Sequence, residues 1–268
     1  MKKKNFRFIL IFFGIECNNV TEVAKLKSDM NINGTGTISE GEYNEVSIAG
    51  VGRLKGNVIA NSVSISGTCS GEGILKCKDI DISGYMRYKG EVNSDGNLNV
   101  NGYMKIKENL SFNEAIISGS VKACEGITFN NAFVSGSISS KKNCEGTNFK
   151  CNGMININGL LSADNINITI YKSANVKEMG GENIEVRSDK KINNIPLVGK
   201  FFSNRLIAET IEGDYVYLEN TSAKKVSGKT VVIGKNCNIE EVNYEISLEV
   251  NDNSKVNKRN FCEKRELN

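Results

Sequence analysis

Val63-Ser-Ile-Ser-Gly67, Ile80-Asp-Ile-Ser-Gly84 and Ala115-Ile-Ile-Ser-Gly119 are copies of one motif, and the chain is organised around its recurrence. Aligned on the final glycine, eight copies follow one another at spacings of 16 to 18 residues. A constant period in this range indicates a repeat architecture, in which each copy is one structural unit. The aligned glycines are Gly34, Gly50, Gly67, Gly84, Gly102, Gly119, Gly136 and Gly153.

Apolar residues occupy fixed columns around the aligned glycine, at positions −4, −2, +2, +8 and +10 relative to it. Alternation with period two in β-branched residues is typical of a strand with one buried face. A helix would need apolar residues three and four apart, which these columns do not supply. Such short strands cannot bury their apolar faces alone. We therefore predict that each copy is one turn of a parallel β-solenoid, with each column stacked as a ladder at about 4.8 Å.

Glycines are expected at the corners between the short strands of a turn. The aligned glycine is placed at one corner, where a positive φ costs it nothing. A single 18-residue spacing is explained by one extra residue in the turn sequence from Asn93 to Asn97. A second, less regular corner is predicted at Gly56, Gly73, Gly90 and Gly159.

The repeat divides the chain into five parts. Residues 1–29 form a basic and apolar N-terminal segment, and residues 30–188 form the solenoid. Residues 189–207, which hold the only proline, are expected to be an irregular insertion. Residues 208–250 form a second β block, either continuing the rod or flanking it, and residues 251–268 are predicted to be a polar tail. In the second block, three apolar pairs recur every 15 residues, namely Val216/Leu218, Val231/Ile233 and Ile246/Leu248.

The first 15 residues join a basic start to an apolar run too short to cross a bilayer as a helix. Three interpretations stay open: a membrane-surface anchor, a cap or misplaced start upstream of the repeat, and an export signal. For the anchor, the candidate membrane contacts are Lys2, Lys3, Lys4, Phe8, Ile9, Leu10, Ile11, Phe12 and Phe13.

The composition argues against several kinds of chemistry. Histidine is absent, which removes the usual general base and metal ligand. The eight cysteines form no CxxC pair, and several fall in apolar columns, so we interpret them as reduced core residues in a cytoplasmic protein. The carboxylates are scattered, and no phosphate-binding loop is recognisable. We expect no catalytic residue, metal or cofactor, and a net charge of +3 implies no nucleic-acid partner.

Three tyrosines could form a sugar-binding strip. Tyr85, Tyr88 and Tyr103 lie in neighbouring copies of the repeat. Tyr88, however, shares a column with Leu54 and Ile106, so packing in the core is the favoured interpretation for it.

Over residues 30–188, the 17-residue turn and the corners quoted above resemble those of the bactofilins, which are bacterial polymer-forming cytoskeletal proteins. The resemblance implies a triangular β-helix that assembles end to end into filaments without a nucleotide. It also implies attachment to the inner membrane face through a short N-terminal segment. The expected fold class is thus all-β, a right-handed parallel β-helix (β-solenoid) with turns of about 17 residues.

The end turns of a solenoid expose unpaired backbone groups and a slice of core, which can template another chain. Met30, Ile32 and Ile38 are the candidate assembly interface at the N-terminal end. We predict a self-assembling scaffold, cytoplasmic and peripheral to the inner membrane, whose partner is a second copy of itself. The alternative is an exported or surface β-helix that binds glycan or an adhesion partner.

Overall fold

The computed structural model of the chain describes residues 27–170, 174–188 and 205–263. Within these residues every helix or strand assigned is a β-strand, and neighbouring strands pair in parallel. The strands are β1 (Ser28–Ile32), β2 (Thr35–Ile48), β3 (Val51–Ile65), β4 (Thr68–Glu72), β5 (Leu75–Ile82), β6 (Tyr85–Tyr88), β7 (Val92–Val100), β8 (Tyr103–Ile106), β9 (Leu110–Ile117), β10 (Ser120–Ala123), β11 (Ile127–Val134), β12 (Ser137–Ser140), β13 (Cys144–Cys151), β14 (Met154–Ile170), β15 (Ala174–Ser188), β16 (Leu206–Leu218), β17 (Thr221–Ile233), β18 (Asn238–Val250) and β19 (Lys255–Phe261).

The strands stack as about 13 turns of one β-solenoid, which confirms the predicted fold. Ile48 pairs with Ile65 and Ile65 with Ile82, and all three side chains are buried. At the usual spacing between strands, such a stack is about 60 Å long. One ladder of equivalent residues runs through every turn: Met30, Val46, Val63, Ile80, Leu98, Ala115, Ala132, Phe149, Ile166, Ile184, Val216, Val231 and Leu248.

Each turn has three walls, which we number by the inward-facing columns they carry. The first wall carries positions −4 and −2, the second +2 and +4, and the third +8 and +10. Alternate side chains point inward because a strand directs successive residues to opposite faces. Tyr88, at +4 on the second wall, is fully buried, as predicted. On the third wall, the rings of Phe112 and Phe129 stack at 5.8 Å, so the interior is filled by like side chains lying on one another.

The aligned glycines lie at the corner between the first and second walls, but the conformational reason predicted for them was wrong. Among the described glycines, positive φ values occur at Gly41, Gly56 and Gly73, and the aligned column has none. The aligned glycines are needed because the turns approach closely. A Cβ added to Gly119 would lie 2.0 Å from the carbonyl oxygen of Gly102 in the preceding turn.

The extra residue predicted between Asn93 and Asn97 is confirmed. The register of β7 shifts there against both neighbouring strands. Buried Ser94 takes an inward position, and its hydroxyl donates to the carbonyl oxygen of Lys78 at 2.8 Å. The bulge is therefore satisfied by a hydrogen bond instead of by apolar packing.

Asparagine ladders connect the turns on the outside. The side-chain amide of Asn148 donates to Asn131 at 2.7 Å, Asn165 donates to Asn148 at 3.0 Å, and Asn183 donates to Asn165 at 3.1 Å. Each amide can donate to one turn and accept from the next, so the ladder extends without leaving an inner member unpaired.

The second β block continues the same stack. Ile184 in β15 pairs with Val216 in β16, although 32 residues separate them. Residues 189–204, most of the predicted insertion, lie outside the described residues. The predicted end of the insertion at residue 207 was wrong, because Leu206 and Ile207 already belong to β16 and Leu206 is fully buried.

Two further expectations for the C-terminal part were wrong. Val231 pairs with Leu248, not with Ile246, whose side chain is 69% exposed. The shift arises where the register of β17 against β18 changes after Gly228. The predicted tail contains a strand, β19, because backbone pairing with β18 does not require apolar side chains. At the other end, β1 begins at Ser28, two residues before the predicted start of the solenoid.

Candidate assembly ends and cationic face

The N-terminal end of the described solenoid is formed by β1 and the first part of β2. Met30 is partly buried, Ile32 is 9% exposed, and Ile38 is fully buried. The prediction that all three form an open apolar slice was therefore wrong for Ile32 and Ile38, which are both buried. The side chain of Ile32 leans across the section toward Gly36, where a Cβ would meet it at 3.2 Å, so the small residue lets the end turn close inward.

The outer edge of β1 has no strand partner among the described residues, since β1 pairs with β2 alone. The carbonyl oxygen of Ile32 accepts from the amide of Ala49, the residue just after β2, at 2.9 Å. Because bonding groups alternate along a strand, the backbone N–H and C=O of Asn31 point to the opposite edge. Asn31 is exposed, so this edge is chemically available to a further strand.

The C-terminal end is different. The last strand, β19, pairs only with β18 among the described residues and carries Lys255, Lys258 and Arg259. Arg259 pairs with buried Val242, so it occupies a column that is apolar in the preceding turns. A charged residue in an inward column and lysines on the edge strand both disfavour the addition of another strand. The two ends are therefore chemically unequal.

The second wall carries a cationic face on its outside, formed by its outward residues at +1, +3 and +5 in five successive turns. One acidic residue interrupts it, Glu72, which pairs with Arg53 at 3.1 Å. Arg87, Lys105 and Lys122 follow one another in register at the central +3 position. The basic side chains of this cationic face are Arg53, Lys55, Arg87, Lys89, Lys105, Lys107 and Lys122.

Tyr85 and Tyr103 border the cationic face at position +1. Their rings stack at 5.0 Å with an angle of 8° between them. Arg87 donates to the hydroxyl of Tyr85 at 2.8 Å and lies 5.8 Å from its ring centre. One face of each ring is thus already in contact with the other ring.

Sequence reasoning missed the cationic face. The signal was present in the repeat alignment, where Arg87, Lys105 and Lys122 share the +3 column. Net charge concealed it, because acidic residues elsewhere in the chain reduce the total to +3.

The carboxylate of Glu219 connects the end of β15, which precedes residues 189–204, to the end of β16, which follows them. Glu219 accepts from the backbone amide of Ser188 at 2.9 Å and from the hydroxyl of Tyr217 at 2.8 Å. Desolvation opposes the charged form of Glu219, but these hydrogen bonds prevail and lower its pKa. The arrangement is structural, since it links β15 to the end of β16.

A surface groove of about 590 Å³ runs across turns in β14 to β18 beside Gly181, Gly213 and Gly228. It holds several carboxylates, but Asp214 is already paired with Lys229 at 2.6 Å. Within the described residues no three His, Cys, Asp or Glu side chains are grouped closely enough to hold a metal ion.

The described cysteines are all free thiols, and most of them are buried in the inward columns. Burial raises the pKa of Cys69 and of Cys144 to about 12. These thiols are therefore protonated near neutral pH and act as small apolar side chains.

The candidate membrane contacts between Lys2 and Phe13 lie outside the described residues. In the part of the chain that the structure describes, no helix is long and apolar enough to span a bilayer.

The chain is similar to two proteins of Bacillus subtilis (strain 168), both named as uncharacterized. It is 37% identical to YhbF over 105 residues, which are 38% of this chain and 41% of YhbF. It is 38% identical to YhbE over 89 residues, which are 33% of this chain and 37% of YhbE. The matched part thus spans well under half of each relative. No protein-family model matches the chain, and no solved structure matches it significantly.

Proposed function

We propose that this chain is a bactofilin-like structural scaffold that self-associates through the N-terminal end of its solenoid, without nucleotide or other cofactor. The observation that carries the proposal is the inequality of the two ends. The outer edge of β1 is unpaired among the described residues, whereas β19 carries Arg259 in an inward column.

Association through β1 is favourable because the edge already has strand geometry. Each new backbone hydrogen bond contributes about 0.5–1.5 kcal/mol net, and the strand is ordered before it binds. Partly buried Met30 adds apolar contact at the same edge. Two copies related by a twofold axis would pair their β1 strands antiparallel, which closes the assembly as a dimer of solenoids.

The charged C-terminal edge limits growth. A polymer that adds subunits at both ends would have to bury Arg259 against a partner, at a large desolvation cost. The proposed assembly is therefore short, and long filaments would need a further contact. Peripheral attachment to the inner membrane face through residues 1–15 is part of the same proposal, and the free thiols support a reducing cytoplasm.

Sedimentation velocity of the full-length protein over a range of concentrations tests this proposal. Asn31→Pro removes an outward N–H without removing a bond to β2, and we expect it to convert the assembly to monomer. Arg259→Pro is the matched control, because the backbone N–H of Arg259 also points away from the neighbouring strand. The N–H of Cys262 donates to the carbonyl oxygen of Tyr244 in β18, and alternation along the chain then directs the N–H of Arg259 to the outer edge of β19. We expect this control to sediment as the wild type does.

Two outcomes would overturn the proposal. One is a wild-type protein that stays monomeric at every concentration. The other is an equal effect of the two proline variants, both shown to be folded by circular dichroism. Charged residues at Ile38 make a weaker test, because that side chain is fully buried and a charge there would unfold the turn.

A further inference from the structure

We propose that the cationic face of the second wall docks on the surface of an anionic lipid bilayer. The inference stands apart from self-association, since it concerns a side of the rod and not its end. It also involves none of residues 1–15.

The positive charge of this face is largely uncompensated. In the described residues the face has one ion pair, between Arg53 and Glu72. Arg87, Lys105 and Lys122 occupy successive turns without a carboxylate partner among the described residues. Glu91, Glu108 and Glu125 follow at the next corner, where Glu108 and Glu125 are in register and Glu91 is in register with Asn109, so the wall itself remains basic.

The shape of the face suits a flat partner. Five turns of parallel strands span about 20 Å along the rod, with outward side chains directed to the same side. Long lysine and arginine side chains can bring their charges to one plane while their stems cover apolar surface.

The border of the face carries apolar and aromatic residues among polar ones. Val51 is 54% exposed, and stacked Tyr85 and Tyr103 lie further along the same +1 column, which also contains Thr68 and Ser120. Tyrosine beside basic residues is the pairing that favours the headgroup region of a membrane. Nucleic acid is less well suited, because one face of each ring is already covered by the other, which leaves less ring surface on which bases could stack.

Flotation of the full-length protein with vesicles tests the proposal. Every form carries Lys2, Lys3 and Lys4 changed to Gln and Phe8, Phe12 and Phe13 changed to Ser, so that residues 1–15 do not hold it on the membrane. The vesicles contain phosphatidylcholine, either alone or with about 30% phosphatidylglycerol, a mixture that attracts basic residues at about 1 kcal/mol each. We expect binding to the anionic vesicles only, weakening as salt is raised. The triple variant Arg87→Gln, Lys105→Gln, Lys122→Gln should lose about 100-fold in partition coefficient, following the same increment per charge.

A second triple variant distinguishes the effect of the cationic face from the effect of the protein's total net charge. Lys78→Gln, Lys150→Gln, Lys225→Gln removes three exposed lysines from other surfaces of the rod. We expect it to retain binding within about threefold, because charges turned away from the bilayer are largely screened. Equal losses in the two variants, or equal binding to neutral vesicles, would overturn the proposal.

A parallel titration with soluble polyanions identifies the class of partner that the face binds. Polyphosphate and single-stranded DNA are titrated against the same three proteins. If they bind through Arg87, Lys105 and Lys122 while vesicles do not, the lipid assignment is wrong. If the full-length protein binds vesicles equally well with and without the three cations, the face is not the contact. The oligomeric state of each variant is measured separately by sedimentation, so that a change in the number of faces per particle is not mistaken for a change in the face.

Discussion

Replacing Gly119 by alanine should damage the solenoid, whereas the same change at Gly34 should not. Both glycines occupy the aligned column, and neither has a positive φ. At Gly34 an added Cβ meets no heavy atom of the described residues within 4 Å. The pair therefore separates close stacking from backbone conformation as the reason for the glycine.

The magnitude follows from the contact at Gly119. Its Cβ would lie 2.0 Å from the oxygen of Gly102, and real Cβ contacts essentially never fall below 3.0 Å. The turns must therefore separate locally by about 1 Å, which breaks the 2.9 Å hydrogen bond from Ser120 to Gly102. Overpacking costs about 1–3 kcal/mol, and the lost bond adds about 1 kcal/mol. We expect Gly119→Ala to lower the free energy of unfolding by about 2–4 kcal/mol in total.

Gly34→Ala should instead be neutral or stabilising by up to about 1 kcal/mol, because alanine restricts the unfolded chain. Urea unfolding followed by circular dichroism measures both variants, and amide exchange at Ser120 reports whether the loss is local. Coupled turns need not unfold in two states, so the midpoints are compared first. Equal destabilisation at the two positions would refute the stacking explanation and restore a conformational one.

The remaining predictions concern the thiols and the C-terminal edge. In the folded protein a maleimide should label exposed Cys262 rapidly and buried Cys144 only after unfolding, as mass spectrometry of the peptides would show; equal rates would contradict the buried assignment. Since burial raises the pKa of Cys69, Cys77 and Cys144 from 9.0 to about 12, their contribution to stability is complete below pH 9.0 and is lost as the pH rises toward 12. Urea midpoints should therefore fall over this interval, less steeply in Cys144→Ala, and a midpoint independent of pH would exclude the linkage. Arg259→Val should create a second adhesive end and larger species in sedimentation, whereas Arg259→Gln should not; unchanged sedimentation of the valine variant would show that Arg259 does not guard this edge.

The fold could be predicted from the sequence because stacking imposes the same demand on every turn. Each inward residue has its equivalent above and below, so Val63, Ile80 and Leu98 had to be apolar together. The glycine column was visible for the same reason, but its cause was not. A regular spacing of glycines in the repeat shows that these positions exclude a side chain. It does not show the reason, because a positive φ and a nearby carbonyl oxygen both exclude one.

Errors arose where alternation alone could not determine register. Ile246 and Leu248 are two residues apart, so a period of two fits either as the partner of Val231. Only the irregularity after Gly228 assigns the position to Leu248. Strand β19 was missed because a final turn has one neighbour and little core to cover, so its residues can be polar and still pair through the backbone.

The outward columns explain why the sites were harder to predict than the fold. An inward position is restricted by the ladder, and its residue therefore reports on packing. An outward position such as +3 on the second wall is free of that restriction: serine serves at Ser70 and Ser139, which flank the basic run in the same column. The change to Arg87, Lys105 and Lys122 is not required by folding, and like charges stacked in neighbouring strands disfavour it. Residues that the fold does not require, and that carry a cost within it, point to a partner outside the chain.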